Sequence, residues 1–322
     1  MKNIISIIVA LFLTSCLLTS AVPKSEIKTN ANTHYQYKIS LASDDWFSYS
    51  VLEKSEMLRI SKEELEKMSD LQLLYAIADY PYFGDVYAYG FDEEGLARFE
   101  KYCSAYAELH SRDSFLDSLN RYGPRVAQEY ASRNQDDLDN LRAQLLLDLV
   151  SFYHESPTEQ YRDTPIIIYT PNGTAVVALQ RVEYHTAAKH AIDDQYFVNT
   201  YYVTKVYPGT CIYNCHSFAW SINSPSNPYW INYPQAYMTD GSYSLVYSGS
   251  TSSIIVSYGA SQNDKIFYPN GNHSAILTGN PANGAPLVSL EATSKWGPNG
   301  VFKHAVGNVP ADYQPSIVSI WH

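Results

Sequence analysis

The sequence predicts an α+β chain with a mostly helical region over residues 44–160 and a strand-rich α+β region over 161–322. Two patterns carry this expectation. Leu65, Met68, Leu71, Leu73, Leu74 and Ile77 recur at helical spacing in the first half, where charged residues also concentrate. The second half is made of short β-branched and aromatic runs separated by Gly, Pro, Asn and Ser. At 322 residues the chain has room for two domains of roughly 150 residues each. A hydrophobic content of 45% is enough for a packed core.

The elements follow in order. Lys2 and the apolar run from Ile4 to Leu13 form a leader over residues 1–21, too short to span a bilayer at about 20 residues per helix. Leu13-Thr-Ser-Cys16 reads as a lipobox, which would anchor the chain to a membrane through a lipidated Cys16. Thr19-Ser-Ala21 reads as an ordinary cleavage site. Both imply export, to the cell envelope or beyond it. Residues 22–43 are polar and aperiodic, as expected of a tether. Ser61 and Glu64 are spaced as a capping box, and Pro81 closes the segment that follows. Helical patterns resume at 93–110, 114–122 and 124–152, with Gly123-Pro124 expected to separate the last two.

In the second half, 164–170 and 175–179 flank Asn172-Gly173 and predict a β-hairpin. Strand composition recurs at 196–207, 244–246, 253–258, 265–268, 274–278, 287–292, 301–304 and 317–321. The one clear helix start in this half is at Cys215, after Pro208-Gly209.

Composition narrows the function. The formal net charge of −11 offers no basic surplus for phosphates, so no nucleic-acid partner is expected. The 29 tyrosines suit strands as well as carbohydrate or peptide contacts. Without Cys16 the cysteines are Cys103, Cys211 and Cys215, an odd number. A Cys103–Cys211 disulfide would be allowed in an oxidising compartment and still leaves a free thiol.

Cys215 at a helix start and His273 opening a strand form a nucleophile and base. A helix N-terminus and a nearby imidazolium both favour the thiolate. Glu291, with Ser289 on the same face of the expected 287–292 strand, is the candidate to orient His273. The N–H of Cys215, with Asn214 or His216, is a candidate oxyanion donor. His216, Lys295 and Trp296 are candidate substrate contacts, with Lys295 and Trp296 in the loop Ser294-Lys-Trp-Gly-Pro-Asn-Gly300. His304 is expected to support the site or lie on the surface. Two other readings use the same residues. Cys211-Ile-Tyr-Asn-Cys215-His216 is one residue longer than a haem attachment motif. Cys211, Cys215, His216 and His273 form a chemically possible zinc set whose spacing matches no usual pattern.

The order Cys215, strand 264–268, His273-Ser-Ala-Ile-Leu277 and a polar residue on the next strand resembles the NlpC/P60 and CHAP branches of the papain-like cysteine hydrolases. Asn263-Asp-Lys-Ile-Phe-Tyr268 resembles their Gly-Asp-Ile-Val-Phe strand, with Asn263 in the place of Gly. Asn214-Cys-His-Ser-Phe-Ala-Trp220 and Ser294-Lys-Trp-Gly297, with Gly300 and His304, are similar to an exported bacterial subgroup. The resemblance covers about residues 195–322. It implies a papain-like fold with an antiparallel sheet and an N-terminal catalytic helix. It further implies a peptidase or amidase acting on amide bonds, commonly in peptidoglycan stem peptides, with no cofactor and no metal. The expected alternative is a non-catalytic envelope or surface binding protein. The helical region would gate the site, dock to the envelope or inhibit.

Overall fold

The computed structural model describes residues 34–37, 49, 51–89, 91–133, 137–154, 163–252, 259–279 and 286–322. The leader, its cleavage sites, most of the tether and the strand expected at 253–258 lie outside the described residues. No described helix is long and apolar enough to cross a membrane.

The first half folds as helices α1 (Val51–Leu58), α2 (Lys62–Lys67), α3 (Asp70–Ala78), α4 (Asp85–Tyr89), α5 (Glu93–Tyr102), α6 (Ser104–His110), α7 (Phe115–Arg133) and α8 (Asp137–His154). Ser61 caps α2 as expected, its side chain accepting from the Glu64 N–H. A complete capping box between Ser69 and Gln72 starts α3, so the apolar run from Leu65 to Ile77 is two helices rather than one. The 93–110 segment also breaks, at Cys103. The expected break at Gly123-Pro124 does not occur, because α7 runs through both residues. Gly123 serves packing instead: a Cβ there would lie 2.8 Å from Val150 of α8.

The second half contains the expected hairpin, β1 (Thr164–Tyr169) against β2 (Ala175–Gln180). Helix α9 (Ala187–Tyr201) follows and corrects the strand expected over 196–207, of which only β3 (Thr204–Tyr207) is extended. Thr186 caps α9, and Tyr196, Phe197, Thr200 and Tyr201 are buried at helical spacing. Burial along one helix face here overrides the β preference of aromatic residues. Helix α10 (Cys215–Trp220) is present, with a short α11 (Gln235–Thr239) after it. The remaining strands are β4 (Leu245–Ser250), β5 (Lys265–Tyr268), β6 (His273–Leu277), β7 (Glu291–Lys295), β8 (Val301–Ala305) and β9 (Ile317–Trp321). The strand expected at 287–292 is displaced: Leu287–Ser289 form a 3-10 turn, and β7 begins at Glu291.

Strands β3-β8-β7-β6-β5-β9-β4 form one sheet with every pair antiparallel. The class is therefore α+β, as expected. Side chains alternate between the two faces. Tyr268, Ala275, Leu277, Ala292, Trp296 and Phe302 join one continuous core with the helices of the first half. Ile276 and Val301 face the other way, against Phe218 and Trp220 of α10 and Ile168 and Val176 of the hairpin. Residues 34–322 form one compact unit, in which the helical and strand-rich regions share the larger core.

Asp85 sits inside that core, accepting from the Tyr201 hydroxyl at 2.7 Å and the Tyr89 hydroxyl at 3.5 Å. Burial pushes its pKa up to about 7, against hydrogen bonds from Tyr201 and Tyr89 that lower it. A carboxyl whose folded pKa is raised stabilises fully below its unfolded value, about 3.9, and that contribution is lost as pH climbs through the folded one. Wild type should therefore lose up to about 4 kcal/mol relative to Asp85→Asn between pH 4 and 8. Thermal melts of both proteins across this range test it, and parallel pH profiles would refute it.

Candidate active site

Asn214 builds the start of α10. Its backbone is extended, and its Oδ1 accepts from the Ser217 N–H at 3.2 Å. The same oxygen accepts from the Ile231 N–H at 3.2 Å, and Nδ2 donates to the Ile231 carbonyl at 2.7 Å. Asn214 is thus a cap and a strap, with one of its two Nδ2 hydrogens committed to Ile231. Cys215 is the first helical residue and is 8% exposed. Its pKa is pushed up to about 11 by burial, against lowering by the Ser274 and His216 N–H groups and by Lys295. The thiolate expected at a helix start is therefore absent at rest, because burial outweighs the helix end.

The Ser274 N–H that faces the sulfur belongs to the residue after His273. Ser274 points its hydroxyl at α10, bonding to His216 Nδ1 and to Trp220 Nε1, each at 2.8 Å. His273 projects from the other face of β6 and is fully buried. Its Nε2 meets Ser294 Oγ at 3.1 Å, and its Nδ1 is buried without a partner. Burial holds its pKa well below the usual histidine value, helped by His304 and His216. Tyr313 lies flat on the His273 ring, with centroids 3.8 Å apart and planes 4° from parallel. The Tyr313 hydroxyl is raised in pKa by burial and then by Cys215, whereas His273 is influenced by His304 and His216. Among the described residues no hydrogen bond joins Cys215 to His273.

Ser294 is the hub on the His273 side. Its Oγ also meets His304 Nε2 at 2.7 Å and accepts from Trp296 Nε1 at 2.9 Å. Glu291 does not occupy this place. The β6–β7 register pairs Leu277 with Ala292, so Glu291 lies beside Thr278, at the far end of β6 from His273. Five residues of strand are about 16 Å. Glu291 is exposed, at 3.4 Å from Lys303.

The three expected substrate contacts are all interior. His216 is buried against Ser274. Trp296 is buried among Phe197, Tyr201 and Phe302. Lys295 is fully buried and donates to the carbonyls of Thr210 at 2.9 Å, Gly297 at 2.7 Å and Asn299. It closes the loop from within, and burial lowers its pKa to about 7.

Sequence reasoning missed Ser294 and Tyr313, which depend on strand pairing, and Asp194. The buried Asp194 carboxylate accepts from the Gly300 N–H at 2.6 Å and the Gly209 N–H at 3.0 Å. It ties the 296–300 turn to the segment leading into Cys215.

Cys103, Cys211 and Cys215 are free buried thiols, so the allowed Cys103–Cys211 disulfide is not formed. The zinc set of Cys211, Cys215, His216 and His273 does not assemble. Among the described residues the group able to hold a metal is His185, His190 and Cys211. No family model, no curated protein and no solved structure matches the chain.

Proposed function

We propose that the chain is an exported thiol hydrolase of papain-like fold that cleaves amide bonds in cell-wall peptides, with Cys215 as nucleophile and His273 as base. The observation that carries this reading is the state of His273. It is a neutral imidazole with Nε2 engaged by Ser294 and Nδ1 buried without a partner, one residue from the N–H that faces Cys215 Sγ. The unpartnered Nδ1 is the acceptor site a base needs, although burial and the two neighbouring imidazoles weaken its basicity in the resting protein. In this reading Ser294, rather than Glu291, orients the imidazole.

The chemistry starts from a neutral pair. The first step requires the thiol to reach Nδ1 from the α10 side of β6, since His273 projects from the opposite face. The sulfur attacks the amide carbon as its proton passes to Nδ1, and the oxyanion is met by the Cys215 N–H. The C–N bond breaks as His273 returns the proton to the leaving amine, which gives a thioester. Water, or a second amine, then releases the acyl group and regenerates the thiol.

Peptidoglycan fragments incubated with the full chain should yield products with new amine and carboxylate ends, or a transpeptidated product, on mass analysis. Unchanged fragment masses would overturn the reading. The burial of Cys215 and His273 favours one alternative, a non-catalytic surface-binding protein. In that case the chain should retain peptidoglycan fragments without changing their masses.

A further inference from the structure

We infer that His185, His190 and Cys211 form a binding site for a transition-metal ion, Zn2+, held through the two Nδ1 atoms and the Cys211 sulfur. The three side chains come from two places in the chain. His185 precedes Thr186, the cap of α9, and His190 lies in the first turns of that helix. Cys211 lies on the segment between β3 and α10. One ligand atom from each falls within 4.8 Å of the others. A tetrahedral zinc has ligand–ligand edges of about 3.3–3.6 Å, so the ion would draw the three together by about 1 Å.

Two observations point to a ligand beyond the clustering. His190 Nε2 meets the Glu183 carboxylate at 3.0 Å. A carboxylate only accepts at neutral pH, so the imidazole proton lies on Nε2 and Nδ1 presents a lone pair. That Nδ1, on a residue 4% exposed, is buried with no partner, and so is Nδ1 of His185. A buried Nδ1 lone pair on His190 and an unpartnered Nδ1 on His185 are costly unless something fills the gap. Gly209 keeps that gap open, since a Cβ there would lie 2.6 Å from His190 Nδ1.

The surrounding charges fit a cation with a thiolate. Glu183 also accepts from the Cys211 N–H at 3.0 Å and the Thr210 hydroxyl at 2.6 Å, so one carboxylate backs two of the ligands. A carboxylate behind a histidine ligand fixes its tautomer and raises its basicity. The Cys211 thiol gives its proton to solvent as the ion binds. Two neutral imidazoles, one thiolate and Zn2+ leave a single positive charge beside Glu183. Lys295 and Lys189 lie nearby and oppose it. Lys295 is buried with a lowered pKa, and Lys189 is paired with Asp193 at 3.0 Å. The ion would clamp the start of α9 to the segment carrying Cys215, apart from acyl transfer.

The test uses the reduced full chain, stripped of metal and titrated with Zn2+ and separately with Co2+. Wild type should bind one equivalent of zinc and show a thiolate-to-cobalt charge-transfer band. Cys211→Ser should lose the band, and His185→Gln, the least buried position, should bind at least about 10-fold more weakly. Cys215→Ala should keep both the band and the stoichiometry. No stoichiometric zinc in wild type, a band that survives Cys211→Ser, or one that vanishes in Cys215→Ala would each overturn the site. These readouts need no substrate, so their failure is distinct from failure of the hydrolase reading.

Discussion

Cys215→Ala should lower amide cleavage by at least about 10⁴-fold while leaving the fold in place. In the proposed reaction alanine removes the atom that bonds to the substrate, and no other thiol stands in the same position. Cys103 is buried in the helical half, and Cys211 is turned towards Glu183 and raised in pKa there. The fold should persist because the change is small. Asn214, which makes the cap and strap contacts, and Ser217, which donates to Tyr229, are untouched. Removing one small buried group costs about 1 kcal/mol. Rate assays and a thermal melt on the same preparation check both halves. Cleavage within tenfold of wild type would end Cys215's role as nucleophile.

Asp194→Ala should cost about 3–5 kcal/mol, the largest stability loss expected of any single polar truncation here. The carboxylate is buried, and alanine strands the Gly209 and Gly300 N–H groups and leaves Lys205, 3.5 Å away, without its ion pair. Activity should fall as well, because the segment into Cys215 and the turn beyond Lys295 both hang from this side chain. Urea denaturation gives the value, and a cost below about 1 kcal/mol would show that neither loop depends on Asp194.

Local signals made part of this molecule legible in the sequence. The hairpin around Asn172-Gly173, helix α10 after Pro208-Gly209, and the short strands at 265–268, 273–277 and 301–305 each depend on a few neighbouring residues. The surroundings of His273 were not legible, because they depend on register. Placing a strand at 287–292 brought Glu291 forward as the partner. With β7 at 291–295, the antiparallel pairing puts Ser294 within reach of His273 and Glu291 at the opposite end. Tyr313 arrives from a 3-10 turn before β9, far along the chain. Lys295 and Trp296 sit in a Gly-rich loop in sequence, yet Lys295 turns inward to donate to three carbonyls and Trp296 joins an aromatic cluster. Helix α9 was hidden because its aromatic residues favour strands locally and are helical only through what they bury.

The core shared between the helices and the sheet has a bearing on mutagenesis. Tyr313 donates to the Ala88 carbonyl, and Asn299 to that of Tyr87, so the layer behind His273 is seated on α4. A substitution that loosens the helical half will travel through these contacts and would silence the proposed chemistry from a distance. Inactivity in such a variant is therefore no sign that the helices touch substrate. Only a variant that keeps its melting temperature and changes KM can speak to that.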